Sequence, residues 1–486
     1  MTLTPLVEPG WMNAILPEII LCLGGMLLIL WDAFAPKAKG ALAPLALIVL
    51  IVGAWSERLV IGGTFFGGTY EISGITHLFD ITFFLAAMLA TLFARDYLDR
   101  EGNEGGEFYA LLLWGTVGMM LMAKGLDLLI IILGLETLSI CIFVLVGYAR
   151  RLPISNEASL KYFLMGAFAT GFVLYGTALF YGATQSTNIT VMARYFATAD
   201  GSNPLLTVAF VLIMAGFGFK LALAPFHPWA PDVYQGAPTP VAGWLSVAPK
   251  AATLIVLVRL FTAMTPLLSK VPWMHLVAVL SVLSMIVGNV VAIVQRDLKR
   301  MLAYSGIAHV GYMTIALLTM RDDNIAAVAV YTIVYALMNI GAFGVISLLV
   351  KNQNDPQTLD DIAGLGFRRP YFGLALAICM FSLSGLPPTA GFIAKFYIFK
   401  SAILYGHTTI ALIGILASIT SVYYYLRVVY YLYMKEPAEG MVVETIGDVF
   451  SVGALAISMI FILVIGIYPT PLFNVAGAAA RALLQQ

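Results

Sequence analysis

Long apolar runs separated by short polar connections recur from one end of this chain to the other. A helix needs about 20 apolar residues to cross the hydrocarbon of a bilayer, and fourteen runs meet that measure. They centre near residues 22, 50, 86, 116, 137, 171, 214, 251, 283, 310, 337, 385, 420 and 460. The first, around Asn13 to Trp31, is expected to be retained, because Met1 to Gly10 carries only Glu8 and lacks the positive stretch of a secretory signal. Connections four-to-five (Lys124 to Asp127) and seven-to-eight (Gly236 to Pro240) are very short. The longest, near 183–204, 351–370 and 435–448, leave no room for a soluble domain. The pattern predicts an all-α polytopic membrane protein.

Composition sharpens that reading. Hydrophobic residues make up 61% of the 486 and charged residues only 11%, where soluble domains carry about 25% charged. Net charge is zero, which gives no reason to expect nucleic acid as a partner. Cys22, Cys141 and Cys379 stand singly in apolar runs without CxxC spacing, so no metal or iron–sulfur site is expected. No Walker or Rossmann glycine pattern stands in a strand–helix context, so no bound nucleotide or flavin is expected in this chain.

Loop cations set the direction of the spans. Connections after odd-numbered spans carry 13 basic residues: Lys37, Lys39, Arg95, Arg100, Arg150, Arg151, Arg296, Lys299, Arg300, Lys351, Arg368, Arg369 and Lys435. Connections after even-numbered spans, with both tails, carry 6: Arg58, Lys124, Arg194, Lys270, Arg321 and Arg481. The odd side is therefore expected to be cytoplasmic, with both termini on the outer side.

Seven basic residues remain, and they fall within or at the edge of spans. Lys161, Lys400, Arg259 and Arg427 suit snorkelling or local pairing. Lys220, Lys250 and Lys395 do not, and neither does Glu136; each lies deep in an apolar run. A charge at the bilayer centre costs about 2.5–3.5 kcal/mol on insertion scales, so intramembrane ionisable groups mark proton or ion paths. Prolines flank the lysines. Pro225 follows Lys220, Pro249 immediately precedes Lys250, and Pro387 and Pro388 precede Lys395. Each is expected to break its helix and free backbone groups that only protein or a wet cavity can satisfy. A lysine relays a proton where burial and a nearby carboxylate bring its two protonation states close in free energy. His309, inside the tenth span, is a further candidate relay group, and His227, at the break of the seventh, a candidate for admitting protons. His77, His275 and His407 lie at span edges and read as surface residues. Glu157 and Lys161, four apart, suit a helical ion pair.

The broken seventh and twelfth spans hold the same place in two groups of five. This suggests inverted repeats with a discontinuous helix in each. The division expected is three spans in 1–105, repeats in 106–265 and 266–435, and a last span in 436–486.

The run GFGFKLALAPFHPWAPDVYQGAPTPVAGWLSVAPK (216–250) resembles the core signature of the antiporter-like membrane subunits of respiratory complex I. Multisubunit sodium/proton antiporters and membrane-bound hydrogenases share that signature. SNEASLKYFLMGAFATGFVLYG (155–176), QRDLKRMLAYSGIAHVGY (295–312) and SLSGLPPTAGFIAKFYIF (382–399) narrow the resemblance to the subunit N branch. The resemblance implies that Glu136 partners Lys220, Lys161 tunes them, Lys250 is the central relay, and Lys395 ends the path toward the outside. It implies a bacterial inner-membrane location among other membrane-arm subunits of complex I, with NADH, FMN, iron–sulfur clusters and quinone held by partner subunits. An antiporter or hydrogenase subunit, or an assembly scaffold, is the competing expectation.

Overall fold

The computed structural model describes residues 10–268, 270–350, 357–437 and 444–485; Glu8 and Lys351 lie outside them. Among the described residues, thirteen helices are long and apolar enough to cross a membrane. The first six spans are Leu16–Phe34, Leu42–Ser56, Gly74–Glu101, Gly106–Lys124, Leu128–Val146 and Pro153–Thr184. The seventh starts as Pro204–Leu221, stops, and resumes as Trp229–Gly236. Thr239–Leu268, Trp273–Val294, Leu298–Leu318 and Asp322–Ser347 follow. The twelfth is split into Pro370–Ser384 and Ala390–Leu404, and Thr408–Tyr433 and Val449–Ile467 complete the fourteen expected crossings. The chain is not purely helical. A short antiparallel hairpin pairs Gly63–Phe65 with Tyr70–Ile72, and a second antiparallel pair joins the distant strands Leu349–Val350 and Glu444–Thr445.

Helix starts follow side-chain caps. Asp127 accepts from the Leu129 amide at 2.8 Å, Asp297 from Arg300 at 2.8 Å, and Asp448 from Phe450 and Ser451 at 2.9 Å. Each carboxylate satisfies amides that the first turn leaves free. Asp127 forms an isolated bridge with Asn188, and Asp297 one with Thr358, at the same separation along the chain. The fourth and fifth spans pack so closely that a Cβ on Gly118 would lie 2.6 Å from the Gly134 carbonyl, and one on Gly134 2.5 Å from that of Gly118. Paired glycines let two backbones touch in this way.

The eleventh span is the centre of the bundle. Every residue from Asn324 to Val350 is buried, and the eighth span is buried from Pro240 to Phe261. A π-turn at Ala336–Ile340 interrupts the eleventh, where Asn339 donates to Ser246 Oγ at 2.6 Å; such turns concentrate at functional sites.

Both predicted breaks at Pro225 and at Pro387–Pro388 are present, and they are built alike. The seventh span ends in left-handed Ala222 (φ 58°), whose amide donates to Phe219 while that of Leu223 donates to Gly218. The twelfth ends in left-handed Gly385 (φ 82°), whose amide donates to Ser382 while that of Leu386 donates to Phe381. Both are Schellman ends, and a cis X–Pro bond follows each, at Ala224–Pro225 and at Pro387–Pro388. Pro249 is different. It was expected to break the eighth span, yet the helix runs unbroken from Thr239 to Leu268. Burial on every side keeps that helix continuous through the missing amide, as tertiary context does for prolines inside membrane bundles.

Candidate functional site

Lys220 sits in the last turn before the first break, 5% exposed. Its Nζ donates to Ser139 Oγ at 2.7 Å and lies 5.5 Å from the Phe143 ring centroid and 5.9 Å from that of Tyr162. Glu136, one turn before Ser139 on the fifth span, has a buried Oε1 without a protein partner. The direct hydrogen bond of Lys220 thus goes to a serine hydroxyl, with Glu136 one turn away from that serine on the same helix. Lys161 joins neither. It is exposed, 2.8 Å from Glu157 and 3.0 Å from Asp232, which in turn holds Arg300 at 2.7 Å. The helical Glu157–Lys161 pair is as the spacing predicts.

Lys250 Nζ is buried without a hydrogen-bond partner among the described residues, 5.7 Å from the Tyr234 ring centroid. The hydroxyls of Tyr234 and Tyr335 are likewise buried without a protein partner. A Cβ on Gly306 would meet Lys250 Nζ and the Tyr335 hydroxyl oxygen, each at 2.9 Å. That glycine, on the tenth span, leaves the space in which the amine and phenol face one another.

His309 follows one turn later on the same helix, 1% exposed. Its Nδ1 lies 2.8 Å from the Tyr331 hydroxyl and its Nε2 3.1 Å from that of Tyr425; Tyr425 also contacts Ser305 Oγ. A neutral imidazole donates from one nitrogen and accepts at the other, so a change of tautomer reverses the hydrogen-bond direction through it. Still on this helix, Tyr312 offers its ring to Lys395 Nζ at 5.2 Å. Its hydroxyl accepts from Asn289 at 2.8 Å, and Asn289 Oδ1 accepts from the Tyr424 hydroxyl at 3.0 Å.

Lys395 stands across the second break. Its Nζ donates to the Leu383 and Ser384 carbonyls and to Ser418 Oγ, each at 3.0 Å. These two carbonyls end the first half of the twelfth span, where a cation is favoured at a helix C-terminus. At the first break a neutral group does the equivalent: Trp229 Nε1 donates to the Phe219 carbonyl at 2.9 Å. Lys395 and Ser418 also face a 470 Å³ cavity walled by Phe392, Phe396 and Phe399. His227 is half-buried in the first break, its ring 6.4 Å from that of Tyr304.

Ser139, Tyr234, Tyr331, Tyr335 and Tyr425 carry no sequence signal of their own, since serine and tyrosine are ordinary in apolar helices. Lys124 is a clearer departure. Counted as a loop cation, it is fully buried, with Nζ 2.9 Å from Glu18, 3.0 Å from Glu57 and 2.9 Å from Asp80. His77, read as a surface residue, is half-buried and lies 2.8 Å from Glu57.

The family described as NADH:quinone oxidoreductase/Mrp antiporter, TM matches residues 125–421. NADH-quinone oxidoreductase subunit N of Trichlorobacter lovleyi is 44% identical over 482 residues, covering 97% of each chain. Its counterpart from Chloroflexus aggregans is 39% identical, covering 96% of each. Among solved structures, a chain of respiratory complex I from Thermus thermophilus superposes with a TM-score of 0.80 at 33% identity, over 95% of this chain and 99% of that one. A chain of an archaeal membrane-bound sulfane sulfur reductase reaches 0.85 at 23% identity, covering 97% of each, which shows likeness of fold.

Proposed function

We propose, for a chain that belongs to the NADH:quinone oxidoreductase/Mrp antiporter membrane family and within it to the subunit N branch, that Glu136, Lys220, Lys250, His309 and Lys395 form one proton-conducting line. The chain is a membrane-arm subunit of NADH:quinone oxidoreductase, coupling electron transfer in other subunits to proton movement. The observation that carries the proposed route is the middle of the line. Lys250 Nζ and the Tyr234 and Tyr335 hydroxyls are buried without protein partners, between two lysines that do have them. Buried polar groups almost always find a partner, and where protein supplies none, water does. A hydrated centre joining Lys220 to Lys395 through Tyr335 and His309 is the arrangement that satisfies these atoms.

Each part then has a task. Glu136 and Ser139 set how firmly Lys220 holds its proton. Lys250 passes it across the Gly306 gap, and His309 relays it by exchanging tautomers between Tyr331 and Tyr425. Lys395 receives it last. His227 serves proton admission at the first break, and Lys161 belongs to the cytoplasmic face. The chain works as part of a translocase and carries out no electron transfer itself; NADH, FMN, iron–sulfur clusters and quinone reside in partner subunits. The matched Asp127–Asn188 and Asp297–Thr358 bridges and the matched Schellman breaks support the two-repeat reading over 106–265 and 266–435. The bacterial relatives favour the inner membrane, and the loop cations favour both termini on the periplasmic side.

Lys220→Arg tests the route, because arginine keeps the charge but does not release its proton. In the assembled complex in liposomes, this variant should still oxidise NADH while losing most of its proton pumping per NADH. Full pumping would remove Lys220 from the line.

A further inference from the structure

A second buried ionisable group lies away from that line, where the first and third spans begin and the second and fourth end. Lys124 Nζ is shared among Glu18, Glu57 and Asp80, all within 3.0 Å. The neighbours that face it from every packed element are few. Tyr70 on the hairpin donates to Glu18 at 2.6 Å, and His77 on the third span meets Glu57 at 2.8 Å. From the eighth span Arg259 pairs with Glu71 at 3.5 Å, a neutral couple, and Cys22 borders Glu18 one turn on. Three carboxylates around one ammonium leave an excess of two negative charges, or one if His77 is an imidazolium. Burying unpaired charge is strongly disfavoured, and such groups neutralise instead.

The hydrogen bonds single out one carboxyl. Glu18 accepts from Tyr70 and Lys124, and Glu57 from Lys124 and His77. Asp80, 0% exposed, has only the shared Lys124 ammonium, 2.9 Å from Oδ2, and among the described residues no second donor on either oxygen. The carboxylate with one shared donor where its neighbours have two is the least supported anion in the group. We infer that Asp80 is a protonated carboxyl, a proton-holding station in the N-terminal three-span bundle that exchanges with the surface through Glu57 and half-exposed His77. A metal cation is the poorer occupant, because it would sit against the Lys124 ammonium that already fills the centre.

Infrared difference spectroscopy on the purified, lipid-embedded complex tests this without recourse to pumping. At neutral pH the native complex should show a protonated-carboxyl C=O band that shifts in D2O and is absent in Asp80→Asn. His77→Gln should slow that shift at least tenfold while leaving the band in place. Should Asp80→Asn fail to assemble, Asp80→Glu should move the band. Identical carboxyl bands in the native and Asp80 variants would overturn the assignment, as would a divalent metal retained by the native complex and lost from Asp80→Asn. Lys220→Arg should leave the band untouched, which separates this inference from the midplane route.

Discussion

At the scale of single residues, the chemistry rests on how many partners each lysine has: one side-chain oxygen for Lys220, none for Lys250, three acceptors for Lys395. Ser139→Ala removes the one hydrogen bond that Lys220 Nζ makes among the described residues. Losing a partner to a buried charged group costs about 1–3 kcal/mol, so pumping measured by an internal pH dye should fall roughly tenfold, with NADH oxidation still detectable. Gly306→Ala places a methyl 2.9 Å from both Lys250 Nζ and the Tyr335 oxygen. Overpacking of about 1–3 kcal/mol should separate that pair, and the same dye should report slowed pumping with assembly intact. The lysines, Glu136 and His309 were legible because a titratable group stands out in an apolar run. Ser139 and the tyrosines were not, since their role comes from neighbours far away in sequence. Lys124 was misread because a four-residue connection looked exposed, while the hairpin at Gly63–Ile72 and the first span in fact cover it.

At the scale of elements, prolines were reliable where glycine or alanine could turn left-handed beside them, and unreliable at Pro249, where full burial overrode the lost amide. The two breaks differ in their strain. Ala222 holds φ 58° with a Cβ, whereas Gly385 holds φ 82° without one. Gly385→Ala adds about 1–2 kcal/mol of left-handed strain and a Cβ only 3.0 Å from Lys395 Cδ. Hydrogen exchange at the Gly385 and Leu386 amides should accelerate roughly tenfold. Ala222→Gly relieves the strain at the first break and should change exchange there far less, because glycine's chain entropy offsets the gain. Equal responses at both joints would show that the left-handed residue does not control either.

At the scale of the whole molecule, the number and order of crossings were readable from apolar runs alone. The central place of the eleventh span was not, because hydropathy gives length and says nothing of which neighbours surround it. Membrane sidedness is open to a direct check. Ser202→Cys and Arg151→Cys lie on connections expected to face opposite sides, and native Cys141 and Cys379 are buried. An impermeant thiol reagent added to intact cells should label the first variant and reach the second only in inverted vesicles. The reverse pattern would invert the orientation. The twin breaks, finally, are fastened by unlike means: an indole closes one and an ammonium the other. An indole grips its carbonyl whatever the pH, whereas a lysine that gives up its proton loosens its hold on a helix end. On the proposed route, then, the joint held by Lys395 is the one whose fastening would respond to the passing proton, so that the path would act as a valve rather than as an open pipe.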